Sequence, residues 1–147
     1  MPVVLDASAL IAFFRDEPGA ETVKQLLHES TPTSAGKTGL LSTVNLAEVL
    51  AALPAAEDDA LLSDRGPVDV QPFTAKHAQR AAELRVSTRT AGLSLADRSC
   101  VALALSQEPP CAVVTADGAW TTLNLGVTVH HIRPWLLPGA RPPRETA

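Results

Sequence analysis

Five short apolar runs punctuate the chain: Val3-Val4-Leu5, Leu40-Leu41-Ser42, Val68 to Phe73, Ala112 to Thr115 and Val127 to Ile132. Each is of strand length and most are rich in β-branched residues, which predicts strands buried in a sheet. Between them the apolar positions recur at three and four residues. Ala7 to Phe14 predicts a first helix, and Val23, Leu26 and Leu27 mark the inner face of a second one after Pro18-Gly19. Thr43 is placed to cap a third, running through Val44, Leu46, Val49 and Leu50 to Pro54. Glu57-Asp58-Asp59 opens a fourth, where acids suit the positive end of the helix dipole. Thr74 caps a helix closed by Gly92, and Ser94 caps the next, which ends before Pro109-Pro110. Gly118 to Leu123 reads as a short helix or turn, and Ser30 to Gly39 as a polar loop. Strands alternating with helices predict an α/β domain, a mostly parallel sheet of about five strands with helices on both faces. Ligands of such sheets bind at the carboxyl ends of the strands.

Composition bounds this picture. With 147 residues, 46% hydrophobic and 19% charged, the chain suits one globular domain. No run reaches the roughly 20 apolar residues of a membrane span. The first apolar run has no basic segment before it, so secretion is disfavoured and a cytoplasmic protein is expected. Two cysteines, Cys100 and Cys111, fit neither a disulfide scaffold nor a paired zinc motif. Gly36-Lys37-Thr38 suggests a phosphate loop, but Thr31 stands where that motif needs its first glycine.

Charge is unevenly distributed. The formal net charge of −4 divides into −7 over residues 1–74 and +3 over residues 75–147. The second half carries Lys76, Arg80, Arg85 and Arg89 on one predicted helix, either a solubilising face or a set of contacts to a nucleic-acid backbone. An aromatic share of 3% leaves little material for a base-stacking platform.

Four of the 16 acids stand in apolar company. Asp6 ends the first strand, and Asp117 follows the fourth by two residues. Glu48 and Asp97 have apolar or small neighbours at helical spacing, Val44, Ala51 and Ala52 for the one, Cys100, Val101 and Ala104 for the other, which predicts that both face inward. A single buried carboxylate is costly and usually finds a partner. Capping would explain Asp6 or Asp97 alone. Four converging at the strand ends call for one or two divalent cations. The donors are hard oxygens, with the Ser8 and Thr115 hydroxyls nearby and no His or Cys expected beside them, which selects Mg²⁺ or Mn²⁺ over zinc. His28, His77, His130 and His131 follow no metal spacing and read as surface or strand-end residues. Carboxylate-held Mg²⁺ usually meets phosphate, so phosphodiester cleavage is the leading chemistry.

The segments Val3-Val4-Leu5-Asp6-Ala7-Ser8-Ala9-Leu10, Asn45-Leu46-Ala47-Glu48-Val49, Gly92-Leu93-Ser94-Leu95-Ala96-Asp97-Arg98 and Val113-Val114-Thr115-Ala116-Asp117 resemble, in order, the four signature segments of PIN domains. More specifically, the chain resembles the VapC toxins of bacterial toxin–antitoxin pairs, from about Val3 to Arg133. The resemblance implies a three-layer α/β/α fold, Mg²⁺- or Mn²⁺-dependent endoribonuclease activity, inhibition by a small VapB-like antitoxin, and a homodimer. It further implies Asp6, Glu48 and Asp97 near the principal metal, with Asp117 completing the site and Ser8 and Thr115 supporting it. The metal-activated water would then attack phosphorus in line. Arg98, next to Asp97, is a possible phosphate contact or a salt-bridge residue. Trp120 is expected to pack beneath the site edge, with base stacking as the alternative.

On this reading residues 1–133 form the nuclease domain, and residues 134–147 a Pro- and Arg-rich tail. Two other classes fit the sequence less well. A partner-binding PIN fold without catalysis fits poorly with retention of all four acids. Aspartate-based phosphatases and receivers need a second acid after Asp6-Ala7 or a late strand-end lysine, and neither is present.

Overall fold

The computed structural model describes residues 1–136. Its elements follow in the order β1 (Val3–Leu5), α1 (Ala7–Arg15), α2 (Ala20–Glu29), β2 (Gly39–Ser42), α3 (Thr43–Ala52), α4 (Asp58–Leu62), β3 (Val68–Gln71), α5 (Ala75–Thr88), α6 (Leu95–Ser106), β4 (Val113–Thr115) and β5 (Val129–His131). Single 3₁₀ turns cover Ala55–Glu57, Arg89–Ala91 and Gly118–Thr122. The five strands form one sheet in the order β3-β2-β1-β4-β5, with every pairing parallel.

Two apolar clusters cover the two faces. Val3, Leu5, Leu41 and Val114 join Leu10, Val23 and Val49 of α1 to α3. Val4, Leu40 and Val113 join Leu84, Val101 and Leu103 of α5 and α6, together with Trp120. Neighbours along one strand thus enter opposite layers, as the two-residue period of a strand requires. A parallel sheet covered on both sides gives three layers, α/β/α. β1 forms over the expected residues and β2 begins one residue earlier, at Gly39, whereas β3, β4 and β5 are shorter than the sequence-based runs. β3 stops at Gln71 because Pro72 has no N–H for the ladder.

Local chemistry sets the joints. Ser42, rather than Thr43, caps α3 by accepting from the Val44 N–H. Thr43 turns its hydroxyl to the Phe73 N–H and so ties α3 to the end of β3. Thr74 and Ser94 each close a capping box. Gly19 has φ +98, and a Cβ there would lie 2.8 Å from the Ile132 side chain, so the turn into α2 admits only glycine without rearrangement. Lys37 donates to the carbonyls of Asp64 and, at 2.7 Å, Gly66, which fastens the 30–39 loop beneath the entrance to β3. Arg133 donates to the Pro18 carbonyl at 2.6 Å. Of the expected tail, residues 137–147 lie outside the described ones. No helix among the described residues is long and apolar enough to cross a membrane.

From β1 the chain builds outward through β2 to β3, then returns to β1's other side with β4 and β5. The order therefore reverses between β1 and β4. In an open α/β sheet this switch point leaves a crevice at the strand ends.

Candidate functional site

Asp6 leaves β1 at that crevice and is 3% exposed. It is the N-cap of α1, and its Oδ1 accepts from the Ala9 N–H at 3.0 Å and the Ser8 hydroxyl at 2.6 Å. Its Oδ2 accepts from the Thr115 hydroxyl of β4 at 2.7 Å. Thr115 Oγ1 in turn receives the Asp117 N–H at 3.0 Å, and Ser8 Oγ receives the Ala116 N–H at 2.9 Å. One network thus closes the ends of β1 and β4 on each other. Burial raises the Asp6 carboxyl to about 6, with Asp97's charge adding to the effect, and the three hydrogen bonds counteract it only in part.

Asp97 approaches from the first turn of α6. Its Oδ2 accepts from the Ser94 N–H at 2.9 Å while Ser94 Oγ accepts the Asp97 N–H at 3.1 Å, so capping fixes this carboxylate at the crevice. Its pKa is raised by burial and by the negative Asp117, against the Ser94 bonds and Arg98. Asp117 itself is exposed and caps the 3₁₀ turn through the Ala119 N–H.

Glu48 departs from its sequence-based placement. It is exposed, and the buried positions of α3 are Asn45 and Val49. The inward reading relied on Val44, Ala51 and Ala52, but the sheet meets α3 along the adjacent stripe. Glu48 still points to the same edge, because Asn45 Nδ2 donates to its Oε1 at 3.3 Å and to the Ala96 carbonyl of α6 at 3.0 Å. Asn45 Oδ1 is buried and meets no hydrogen-bond donor among the described residues. Leaving such an acceptor unpaired costs about 1–3 kcal/mol.

Cys100, one turn beyond Asp97, is fully buried beneath the group. Burial and the charges of Asp6, Asp97 and Glu48 push its thiol well up, so it stays protonated. The expectation of no cysteine beside the acids is thereby corrected, though a neutral thiol leaves the donor set one of oxygens. His131 Nε2 lies 3.2 Å from the Ala116 carbonyl and braces the turn that carries Asp117. Read from the sequence, Asn45 and His131 have no part in the site, and Cys100 enters only as an inward neighbour of Asp97. The Asn45–Glu48 interval of three residues, one helical turn, was the available signal for the first.

Asp6, Asp97 and Asp117 couple electrostatically in series, and Glu48 is held beside them. Among the described residues no three His, Cys, Asp or Glu side chains close on one ion-sized point. The donors nevertheless suit a hard divalent cation: they are carboxylates, burial and a neighbouring negative charge promote protonation of Asp6 and Asp97, and positive charge would relieve both effects.

The basic residues do not form one stripe. The buried face of α5 carries His77, Ala81, Leu84 and Thr88. At 100° per residue Lys76 and Arg80 flank it on one side, Arg85 and Arg89 on the other. His77 Nε2 meets Ser106 Oγ at 3.1 Å near the end of α6, so Lys76 and Arg80 lie at the helix end away from Asp97. Arg85 and Arg89 lie at the end that leads into Ser94. Arg80 is also paired with Glu83 at 3.5 Å. Arg98 Nη1 donates to the Ala81 carbonyl at 2.8 Å, clamping α6 to α5. His77 is buried, contrary to a surface placement, because it completes the Thr74 capping box. Trp120 is fully buried in the α5–α6 layer below the Asp117 turn.

A three-layer domain with carboxylates gathered at the switch point of a parallel sheet defines the class. The PIN domain family profile matches residues 3–123, and the chain belongs to that family. Similar solved structures include FitAcB from Neisseria gonorrhoeae, with 22% identity, 92% of this chain and 99% of that chain covered, and a TM-score of 0.61. VapBC2 from Rickettsia felis, bound to a DNA fragment from its promoter, is 17% identical over 89% of this chain and 98% of that chain, with a TM-score of 0.61. VapC20 of Mycobacterium tuberculosis, a sarcin-ricin loop cleaving toxin, is 19% identical over 82% and 93%, with a TM-score of 0.62. No curated protein sequence matches the chain.

Proposed function

We propose that this chain is an endoribonuclease, the toxin of a VapBC-type toxin–antitoxin pair, dependent on Mg²⁺ or Mn²⁺. The observation that carries the reading is Asp6, a buried carboxylate held by Ser8, Ala9 and Thr115 at the switch point, with Asp97, Asp117 and Glu48 along the same edge. Membership of the PIN family and likeness to toxin–antitoxin structures support it.

Asp6, Glu48 and Asp97 would hold the principal cation, with Asp117 completing the set. When bound, the cation supplies an acidified water and positive charge at the phosphate. The chain's own groups do the rest. Ser8 and Thr115 keep Asp6 oriented, and crowding among the acids leaves a carboxylate able to take the proton of the attacking water. Arg85 and Arg89 are placed to meet backbone phosphates beside the crevice, and Arg98 serves as their support through α5. Residues 1–133 would constitute the nuclease, acting in the cytoplasm as a homodimer restrained by a VapB-like antitoxin.

The test is cleavage of RNA by purified protein with Mn²⁺, compared with Asp6→Asn and with the chain co-purified with its antitoxin. Cleavage is expected only for the free wild type. Equal products from wild type and Asp6→Asn would remove the metal site, and no cleavage by either would favour a partner-binding domain.

A further inference from the structure

We propose that Asn45 is a positioning residue, which sets Glu48 against Asp97 by bonding both helices with one amide; the inference rests on the nuclease reading of this edge. Asn45 is 1% exposed in the first turn of α3. Its two donors are divided between elements: one meets the Ala96 carbonyl of α6, the residue before Asp97, and one meets Glu48 Oε1. The amide orientation follows from those partners, since a flipped group would set its oxygen against a carbonyl and a carboxylate.

The unpaired Oδ1 sharpens the argument. An apolar side chain of similar size would fill the space without an orphaned acceptor, so packing alone disfavours asparagine here. What only the amide supplies is donation toward α6 and Glu48 together. Glu48 is exposed, and among the described residues no other side chain hydrogen bonds it. Without Asn45 its carboxylate is one of many rotamers of a flexible chain. Asp97 is already fixed by Ser94 and Asp6 by Ser8 and Thr115. Asn45 performs the same service for Glu48 and references it to α6.

The test uses the full chain with Asn45→Leu, Asn45→Asp and Glu48→Gln, each measured for melting without metal, for the melting shift on adding Mn²⁺ alone, and for RNA cleavage. Asn45→Leu should melt close to wild type without metal, since the orphaned acceptor it removes offsets the hydrogen bonds it gives up. It should lose most of the Mn²⁺ shift and lower kcat by about tenfold or more, with KM for RNA little changed. Asn45→Asp should lose the Mn²⁺ shift and kcat likewise, because it keeps the shape and replaces the donor with an acceptor, but it should melt lower, since its buried carboxylate faces the Ala96 carbonyl and Glu48. Adding Asn45→Leu to Glu48→Gln should cost little further activity, since the residue acts through Glu48. A wild-type Mn²⁺ shift and kcat in both Asn45 variants would overturn the proposal, as would full additivity with Glu48→Gln. Should Asn45→Leu fold poorly, Asn45→Asp, alone and combined with Glu48→Gln, decides. No cleavage by wild type would overturn the nuclease reading instead and leave the Mn²⁺ titration to judge Asn45.

Discussion

Thr115 on β4 donates its hydroxyl to Asp6 at the end of β1, 2.7 Å away and 109 positions earlier in the chain. The bond spans the switch point and supports a carboxylate that burial has pushed toward neutrality. Thr115→Val keeps the volume and removes the donor. At pH 8 without metal, unfolding free energy should fall by about 1.5–3 kcal/mol, the usual worth of a hydrogen bond to a charged group. The loss should shrink below pH 5, where Asp6 holds its proton. Denaturant titrations at the two pH values check it, and an equal loss at both would deny that the bond serves the charged form.

Asp6 gives the metal-free protein a pH dependence of defined sign. Its native pKa, about 6, lies above the ordinary 3.8. The native state therefore holds the proton more tightly, and stability from this group is full below pH 4 and lost as pH rises through 6. Asp6→Asn removes the titration. Its unfolding free energy relative to wild type should rise between pH 4 and 7 by an amount on the order of 2–3 kcal/mol. The asparagine amide faces the hydroxyl donors of Ser8 and Thr115, so a constant penalty sits beneath that slope. A difference that stays flat with pH would contradict the burial argument.

Much of this architecture is legible in the sequence because strand and helix periods differ and caps are local. Thr74 and Ser94 stand one turn before the residues they bond, so both helix starts can be read directly. Asp6 and Asp117 sit at strand ends whatever the packing. Glu48 is less legible: which stripe of α3 meets the sheet depends on the crossing angle, and Ala51 and Ala52 are too small to reveal it. The roles of Asn45 and His131 depend on carbonyls 51 and 15 positions away, which no local pattern encodes. The two-sided arrangement of Lys76, Arg80, Arg85 and Arg89 follows from helix geometry, but its consequence needed the contact between His77 and Ser106.

Crowded carboxylates predict stabilisation by metal. A ligand that binds only the native state at a hundred times its dissociation constant adds about 2.7 kcal/mol. For a chain of this size that corresponds to a rise in melting temperature of about 5–10 °C. Millimolar Mn²⁺ or Mg²⁺ should produce such a shift in wild type, and Asp97→Asn should reduce it while retaining the Ser94 cap, since an amide oxygen still accepts from the Ser94 N–H. Differential scanning fluorimetry measures both. An identical shift in wild type and Asp97→Asn would place the cation elsewhere.

The two basic flanks of α5 should behave differently toward RNA. Each phosphate contact adds to the dependence of binding on salt, by a slope of about 0.7 per contact for single strands. Arg85 and Arg89 lie at the helix end that leads into Ser94 and Asp97, whereas Lys76 and Arg80 line a cavity of about 330 Å³ with Ser106 and Glu108 at the other end. Arg85→Ala with Arg89→Ala should therefore flatten the plot of log affinity against log salt by about one to one and a half units. Lys76→Ala with Arg80→Ala should change it by much less, because Glu83 already partners Arg80 and Glu108 opposes an anion there. Fluorescence anisotropy with a catalytically inactive Asp6→Asn background and a salt series measures both slopes. Equal slopes for the two double variants would mean that RNA crosses the whole length of α5, and that the acid end has no privileged approach.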